Sequence, residues 1–217
     1  MAQSRADTTK ANLIRAAFFL FAEKGFEATS TREIAQHAKT NIASINYHFG
    51  GKAGLRLACA ETIVARLDRL RGHPEAISLP PTLDAPQTRF EASMLRQAIV
   101  VLSIEEADAI MRFMIREAHA KGEVFEHVYT HFFNPTFLLF YQLFLEATGR
   151  EDSDADREEL KVAIFSLISV LAYFRIGEPV ILKHQNWPAY GPDQTGIILR
   201  VLQGNIRSII DNYRRKT

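Results

Sequence analysis

Between residues 41 and 52 the chain gathers side chains that make two kinds of hydrogen bond. The Asn46 carboxamide can pair bidentately with adenine, and Ile42 or Ala43 can touch a thymine methyl. Ala43 and Ser44 are small enough to let a backbone approach a base edge. Tyr47, His48 and Lys52 follow with a hydroxyl, an imidazole and an ammonium. Those groups suit phosphate oxygens, which fix register without reading sequence. Ile45 and Phe49, set among them, read as core. Ser30, Thr31, Thr40 and Asn41 flank the same stretch and complete the set of candidate contacts with a nucleic acid.

Such side chains work only from a helix whose exposed front edge can enter a groove, and the surrounding sequence predicts one. A first helix is expected over about 8–24, capped by Asp7 or Thr8 and stopped at Gly25. Ile14, Phe18, Phe21 and Ala22 form its apolar stripe, with Ala17 beside it. Ser30 followed by Glu33 is a capping box that opens a second helix, whose Ile34, Ala35 and Ala38 face inward. Asn41 is a good N-cap for a third helix ending near Phe49, where Gly50 and Gly51 break the chain. A fourth helix is expected over about 52–70. A short capped helix, a three-residue turn and a second short helix make a helix-turn-helix layout.

Residues 9–58, TKANLIRAAFFLFAEKGFEATSTREIAQHAKTNIASINYHFGGKAGLRLA, resemble the DNA-binding domain of the TetR family. The markers are AAFFLFAEKGFEATS, REIAQHA, NYHF and the Lys52 after it. The resemblance implies that Tyr47, His48 and Lys52 touch phosphates and that Ile42, Ala43, Ser44 and Asn46 face bases. The NIA opening the third helix, the later LAC and the late segment RIGEPVILKHQNW, residues 175–187, resemble the CerR/CecR-type branch. Two positions depart from the family. Lys39 stands where Gly is usual in the turn, and Thr40 where an apolar residue is usual. If that turn needs φ > 0, Lys39 costs about 1 kcal/mol against Gly.

The rest of the chain also reads as helix. Residues 72–84, with His73-Pro74 and Pro80-Pro81, read as a loop and a boundary. Helices are expected over about 86–102, 104–120, 123–148 with a break or kink at Pro135, 154–176 and 193–214. Between the last two lies an irregular segment, in which Pro179-Val180-Ile181-Leu182 is the one candidate strand. Arg112, Arg116 and His119 share one helix, as a solvated face or as groups that orient a polar or anionic ligand. Phe113, Phe137, Phe140, Tyr141 and Phe144 belong to an aromatic-rich stretch. They either fill a helical core or line an apolar pocket. Glu123, His127 and His131 sit four apart, a spacing that could hold a metal, but no fourth ligand is in sight. Val162–Phe174 is apolar nearly all round and must be covered on every side. The last helix carries one stripe at Ile198, Leu202, Ile206, Ile209 and Tyr213 and a second at Ile197 and Val201. Two such helices per chain can close a monomer core or build a four-helix dimer interface.

Charge is segregated although the whole chain is near neutral. Residues 1–56 hold eight Lys/Arg and four Asp/Glu, and residues 57–217 hold eighteen and twenty-one. A basic head on an acidic body suits a DNA-contacting module carried by a sensing module. The single cysteine, Cys59, excludes an internal disulfide and lies in an apolar helical stretch, where inert packing is expected. No signal peptide is evident, and the most apolar run is shorter than the roughly 20 residues a spanning helix needs. No nucleophile elbow, phosphate loop or zincin motif supports an enzyme.

The expectation is an all-α protein. Residues 1–56 form a helix-turn-helix DNA-binding domain, and residues 57–217 a helical domain for ligand binding and dimerisation. No cofactor is required. The partners expected are a duplex DNA operator, a second copy through the last two helices, and a small-molecule effector. The setting expected is cytoplasmic, without a membrane. The rival expectation is a helical binding protein that does not touch DNA.

Overall fold

The computed structural model describes residues 2–72, 85–104, 106–152 and 156–214. Of the loop expected over 72–84, Gly72 belongs to the end of the fourth helix and 73–84 lie outside these residues, as do 153–155. The chain divides into two compact units, Met1–Arg69 with Asp108–Phe132, and Leu70–Ala107 with Phe133–Thr217. Every regular element among the described residues is helical.

The first unit contains α1 (Ala2–Lys24), α2 (Thr31–His37), α3 (Ala43–Phe49), most of α4 (Lys52–Gly72) and nearly all of α6 (Ala107–Ala120), and α7 (Glu123–Val128). Leu13, Ala17, Phe18, Phe21 and Ala22 are the buried face of α1, so Leu13 takes the place expected for the half-buried Ile14. Ile34, Ala35 and Ala38 of α2 and Ile45 of α3 are buried, as the helical spacing predicts. The Phe18 ring meets Phe113 of α6 edge-on, with centroids 5.9 Å apart. Cys59 is fully buried and its thiol donates to the Ile14 carbonyl at 3.4 Å. Burial pushes that thiol far above its ordinary range, which keeps it an inert packing group.

Each turn of this unit is fastened locally. Ser30 Oγ accepts the Glu33 amide at 3.1 Å, while the Glu33 carboxylate accepts from the Lys24 ammonium. That ammonium and the Ser30 backbone amide hold the Glu33 carboxyl below the usual carboxylate range. Asn41 Oδ1 accepts the Ala43 amide, the first of α3, at 2.8 Å. Gly54 is required by closeness rather than by its torsions. A Cβ there would lie 1.9 Å from the Phe49 carbonyl oxygen, so α4 begins in backbone contact with the end of α3.

The second unit contains α5 (Pro86–Ser103), α8 (Asn134–Thr148), α9 (Arg157–Ile176), α10 (Glu178–Gln185) and α11 (Pro192–Tyr213). Its central helix is α5, against which α8, α9 and α11 all pack. Phe90, Met94, Ala98 and Leu102 of α5 meet Phe140, Phe144, Leu160, Ile164, Leu167, Ile198, Leu202 and Ile206 in one core. The break expected at Pro135 is present. Tyr129–Phe133 winds as a π-helix and α8 restarts with Pro135 in its first turn. Proline has no amide to donate, so the ladder changes register ahead of it.

Two expectations are corrected here. Helix α1 begins at Ala2, so Asp7 and Thr8 lie within it and do not cap it. Pro179-Val180-Ile181-Leu182 is not a strand but lies in α10. Pro179 sits at the first helical turn, where its fixed φ is an advantage, and Asn186 ends the helix in the left-handed region at φ 53°. A short apolar run looks alike as strand or helix, and here the ends decided it.

Lys39 adopts φ 53° in the turn between α2 and α3. The side chain is exposed, so glycine there removes steric strain without a packing loss. Lys39→Gly is expected to stabilise the protein by about 1 kcal/mol, read as a higher urea midpoint at unchanged m-value.

Candidate nucleic-acid interface

The exposed edge of the helix-turn-helix is the sequence-predicted one. Asn41, Ile42, Ala43, Asn46 and Tyr47 are exposed, and Ser44, His48 and Thr40 are half-buried. Tyr47 is 85% exposed, and its ring stands edge-on to His48 with centroids 4.9 Å apart. Ile42 is 48% exposed, more than a core role allows. Ile45, one turn further along, is buried. Alternation of this kind anchors α3 by one face and leaves the other for a partner.

Several of these residues already have structural duties. Ser30 caps α2 through its side chain, and Asn41 Oδ1 holds the first amide of α3. The Thr40 hydroxyl donates to Ser44 Oγ at 3.5 Å, and the Thr40 amide donates to the Ala35 carbonyl at 3.0 Å. Thr31 opens α2 and is half-buried. Lys52 Nζ donates to the Thr29 carbonyl at 2.8 Å and lies 4.2 Å from the Phe26 ring centroid. Its ammonium keeps further donor capacity at the first turn of α4.

Sequence reasoning missed the brace behind this edge. Arg56 of α4 also lies over Phe26, at 4.6 Å. Its Nε and Nη2 donate to the two carboxylate oxygens of Glu117 on α6, at 2.8 and 2.6 Å. The Glu117 side chain is 5% exposed, so this is a bidentate pair largely withdrawn from water. Arg116, the preceding residue, donates to the carbonyls of Ala22 and Glu23 at 3.2 and 2.9 Å. Those are last-turn carbonyls of α1, left open by the helix end. Thus α6 grips both α1 and α4. Partners 61 and 94 residues apart leave no spacing signal in a single sequence.

The ligand candidates fall in different places. Arg112, Phe113, Arg116 and His119 belong to the first unit, and Phe137, Phe140, Tyr141 and Phe144 to the second. Arg112 pairs with Asp108 at 2.5 Å on an exposed face, and His119 Nδ1 contacts the Ile115 carbonyl at 2.8 Å. Phe113 is buried against Phe18. Phe140, Tyr141 and Phe144 are in the core of the second unit, and Phe137 stacks on Phe165 with centroids 4.6 Å apart. The Tyr141 hydroxyl donates to Asp152 at 2.8 Å, and burial together with that acceptor pushes it up to about 12. A cleft of about 230 Å³ in the first unit is lined by Ala53, Gly54, Arg56, Leu57, Glu123 and Val124, none of them a ligand candidate. His127 and His131 stack on each other with centroids 4.3 Å apart. Among the described residues no three His, Cys, Asp or Glu side chains are placed to hold a metal.

The fold and this edge have known counterparts. The family described as bacterial regulatory proteins, tetR family, matches residues 13–59. The C-terminal domain of the HTH-type transcriptional dual regulator CecR matches residues 86–212, more than half of the chain. The chain is a TetR-family transcriptional regulator of the CecR branch. It is similar to the HTH-type transcriptional dual regulator CecR of Shigella flexneri, 28% identical over 98% of this chain and 96% of that one. It is also similar to the probable HTH-type transcriptional regulator YttP of Bacillus subtilis, 52% identical over 22% of this chain and 23% of that one. A transcriptional regulator from Pseudomonas aeruginosa PAO1 shares the fold, with a TM-score of 0.65 and 22% identity over 94% of this chain and 93% of that one. The helix-turn-helix of this TetR-family regulator therefore comprises α2 and α3. No single helix among the described residues is long and apolar enough to cross a membrane.

The Arg56–Glu117 pair yields a measurable consequence. Arg56→Met leaves the withdrawn Glu117 carboxylate without its partner and is expected to destabilise by about 3 kcal/mol. Arg56→Met combined with Glu117→Met is expected to recover most of that loss in chemical denaturation, because no buried charge then remains.

Proposed function

We propose that this regulator is a ligand-responsive repressor that binds a near-palindromic operator as a homodimer and is released by a small molecule. The observation that carries the reading is the exposed front edge of α3, with Ile42, Ala43, Ser44 and Asn46 toward bases. Ser30, Thr31, Thr40, Tyr47, His48 and Lys52 surround it as contacts to the phosphate backbone. Residues 1–56 act as the DNA-binding domain and residues 57–217 as the ligand-binding and dimerisation domain. The setting is the cytoplasm, where duplex DNA and small metabolites meet.

Dimerisation draws support from the outer faces of α9 and α11, the last two long helices. Val162, Phe165, Val170, Tyr173 and Ile176 are exposed at helical spacing on α9, with Ser166 and Ser169 between them. On α11, Ile197 and Val201 are exposed, with Gly204 and Ser208 one and two turns on. Apolar strips of this size on a second-copy partner give a self-complementary four-helix contact. A two-fold dimer then presents two α3 helices to half-sites about 34 Å apart, or a multiple of that. Release requires unequal ligand affinity for the two conformers, typically worth about 1–3 kcal/mol. Helix α4 leads out of the reading head and is the lever in this scheme.

Selection of bound sites from random duplex DNA tests recognition and symmetry together, and a palindromic consensus is expected. Against that site, Tyr47→Phe with Lys52→Ala is expected to weaken binding about tenfold or more at moderate salt and to lower the salt slope by about 1–2. Wild-type affinity in the double variant, or a flat response to salt, would overturn the phosphate roles and favour a helical protein with no DNA function. For the dimer, Val162→Asp with Val201→Asp alters residues 66% and 54% exposed, so the fold is expected to survive. Sedimentation is expected to show a monomer with unchanged helical circular dichroism. A persistent dimer would move the interface elsewhere.

A further inference from the structure

Three residues other than glycine take a left-handed φ among the described residues, Lys39, Lys121 and Asn186. Asparagine tolerates that region, whereas the Cβ of a lysine is crowded there. Strained positions cluster at binding sites, so each raises the question of what its side chain does. The two lysines differ in their charge surroundings. Lys121 follows α6 in a stretch that holds Glu117, Glu123 and Glu126. Lys39 lies in residues 30–52, where the one acid is Glu33, and that carboxylate already accepts from Lys24. The Lys39 backbone is engaged, its amide donating to the Gln36 carbonyl at 3.1 Å. Its side chain is exposed and has no ion pair or hydrogen bond among the described residues. Glycine would make the same turn without the crowding, so local folding gives no reason for a lysine.

Placement supplies a reason. Thr40 and Asn41 follow Lys39 directly, and Asn41 Oδ1 holds the first amide of α3. Lys39 therefore stands at the leading end of the reading helix, the end that a helix-turn-helix directs at the duplex. An ammonium on a flexible four-carbon stem is a mobile point charge, which suits a phosphate oxygen. We propose that Lys39 is a phosphate-contacting residue of the reading head, adding affinity for duplex DNA without sequence preference. The proposal rests on the DNA-binding reading above and adds one contact to those assigned there. Stability and DNA affinity then pull in opposite directions at this one position.

The test uses the full chain and two duplexes, the consensus selected from random DNA and a scrambled duplex of the same composition. Affinity is measured over a range of salt. Lys39→Gln keeps the length of the side chain and removes its charge. It is expected to weaken binding to both duplexes by a similar factor, about tenfold at about 0.1 M salt, and to lower the salt slope by about 1 per protomer. Lys39→Arg is expected to retain most of the affinity. Lys39→Gly is expected to lose as much affinity as Lys39→Gln while its urea midpoint rises. Lys183→Gln alters an exposed lysine on α10 of the second unit and is expected to leave the slope unchanged. The contact is overturned if Lys39→Gln keeps wild-type affinity and slope, or if its loss is confined to the selected duplex. It is also overturned if Lys39→Arg or Lys183→Gln loses as much as Lys39→Gln. Failure here is distinct from failure of the reading beneath it. A wild type that binds neither duplex removes both, whereas a wild type that binds, with Lys39→Gln unchanged, removes this contact alone.

Discussion

The approach of Gly54 to the Phe49 carbonyl governs how the reading helix is held. Helix α4 starts only two residues after α3 ends, and the two backbones touch at a point where a methyl group would overlap an oxygen. Any residue but glycine there would push α4 away from α3. With that contact made, Lys52 comes within reach of the Thr29 carbonyl and, with Arg56, of the Phe26 ring. The loop before α2, the end of α3 and the start of α4 become one rigid joint. The exposed side chains of α3 inherit their orientation from it.

Behind the joint, two adjacent residues of α6 do different work. Arg116 closes the end of α1 by accepting none and donating twice to its carbonyls. Glu117 holds Arg56 of α4 in a pair that water barely reaches. A shift of α6 along its axis would therefore act on α1 and α4 together. Charge pairs withdrawn from water add little to stability against an apolar alternative, but they tolerate only one geometry. That intolerance fixes α6 in one position against α1 and α4.

The second unit follows a different logic. Its core is built on α5 from aromatic and aliphatic side chains, with the polar groups at its edges mostly matched. Glu91 meets Arg207 at 2.7 Å, Arg89 meets Glu146 at 2.9 Å, and Arg150 meets Asp156 at 2.5 Å. Against that background the apolar outer faces of α9 and α11 stand out, left in water by a single chain.

Local chemistry carried most of what the sequence determined. The helix start at Ser30, the stop at Gly25 and the break at Pro135 depend on neighbours within four residues, so each was legible, whereas a left-handed turn at Lys39 was suggested only by the glycine usual there in the TetR family. The same holds for the exposed edge of α3, because one buried Ile45 between Ile42 and Asn46 sets which face turns outward. The strand assigned to Pro179–Leu182 failed because an apolar run of that length has no period of its own, and the caps at its ends outweighed it. Tertiary structure alone decided what lies far apart in the chain. It gave Arg116 to α1 and Glu117 to Arg56, and engaged the side chains expected to orient a ligand. Pairing across tens of residues is set by how whole helices pack, and a side chain's type does not reveal which of many possible neighbours that packing will supply.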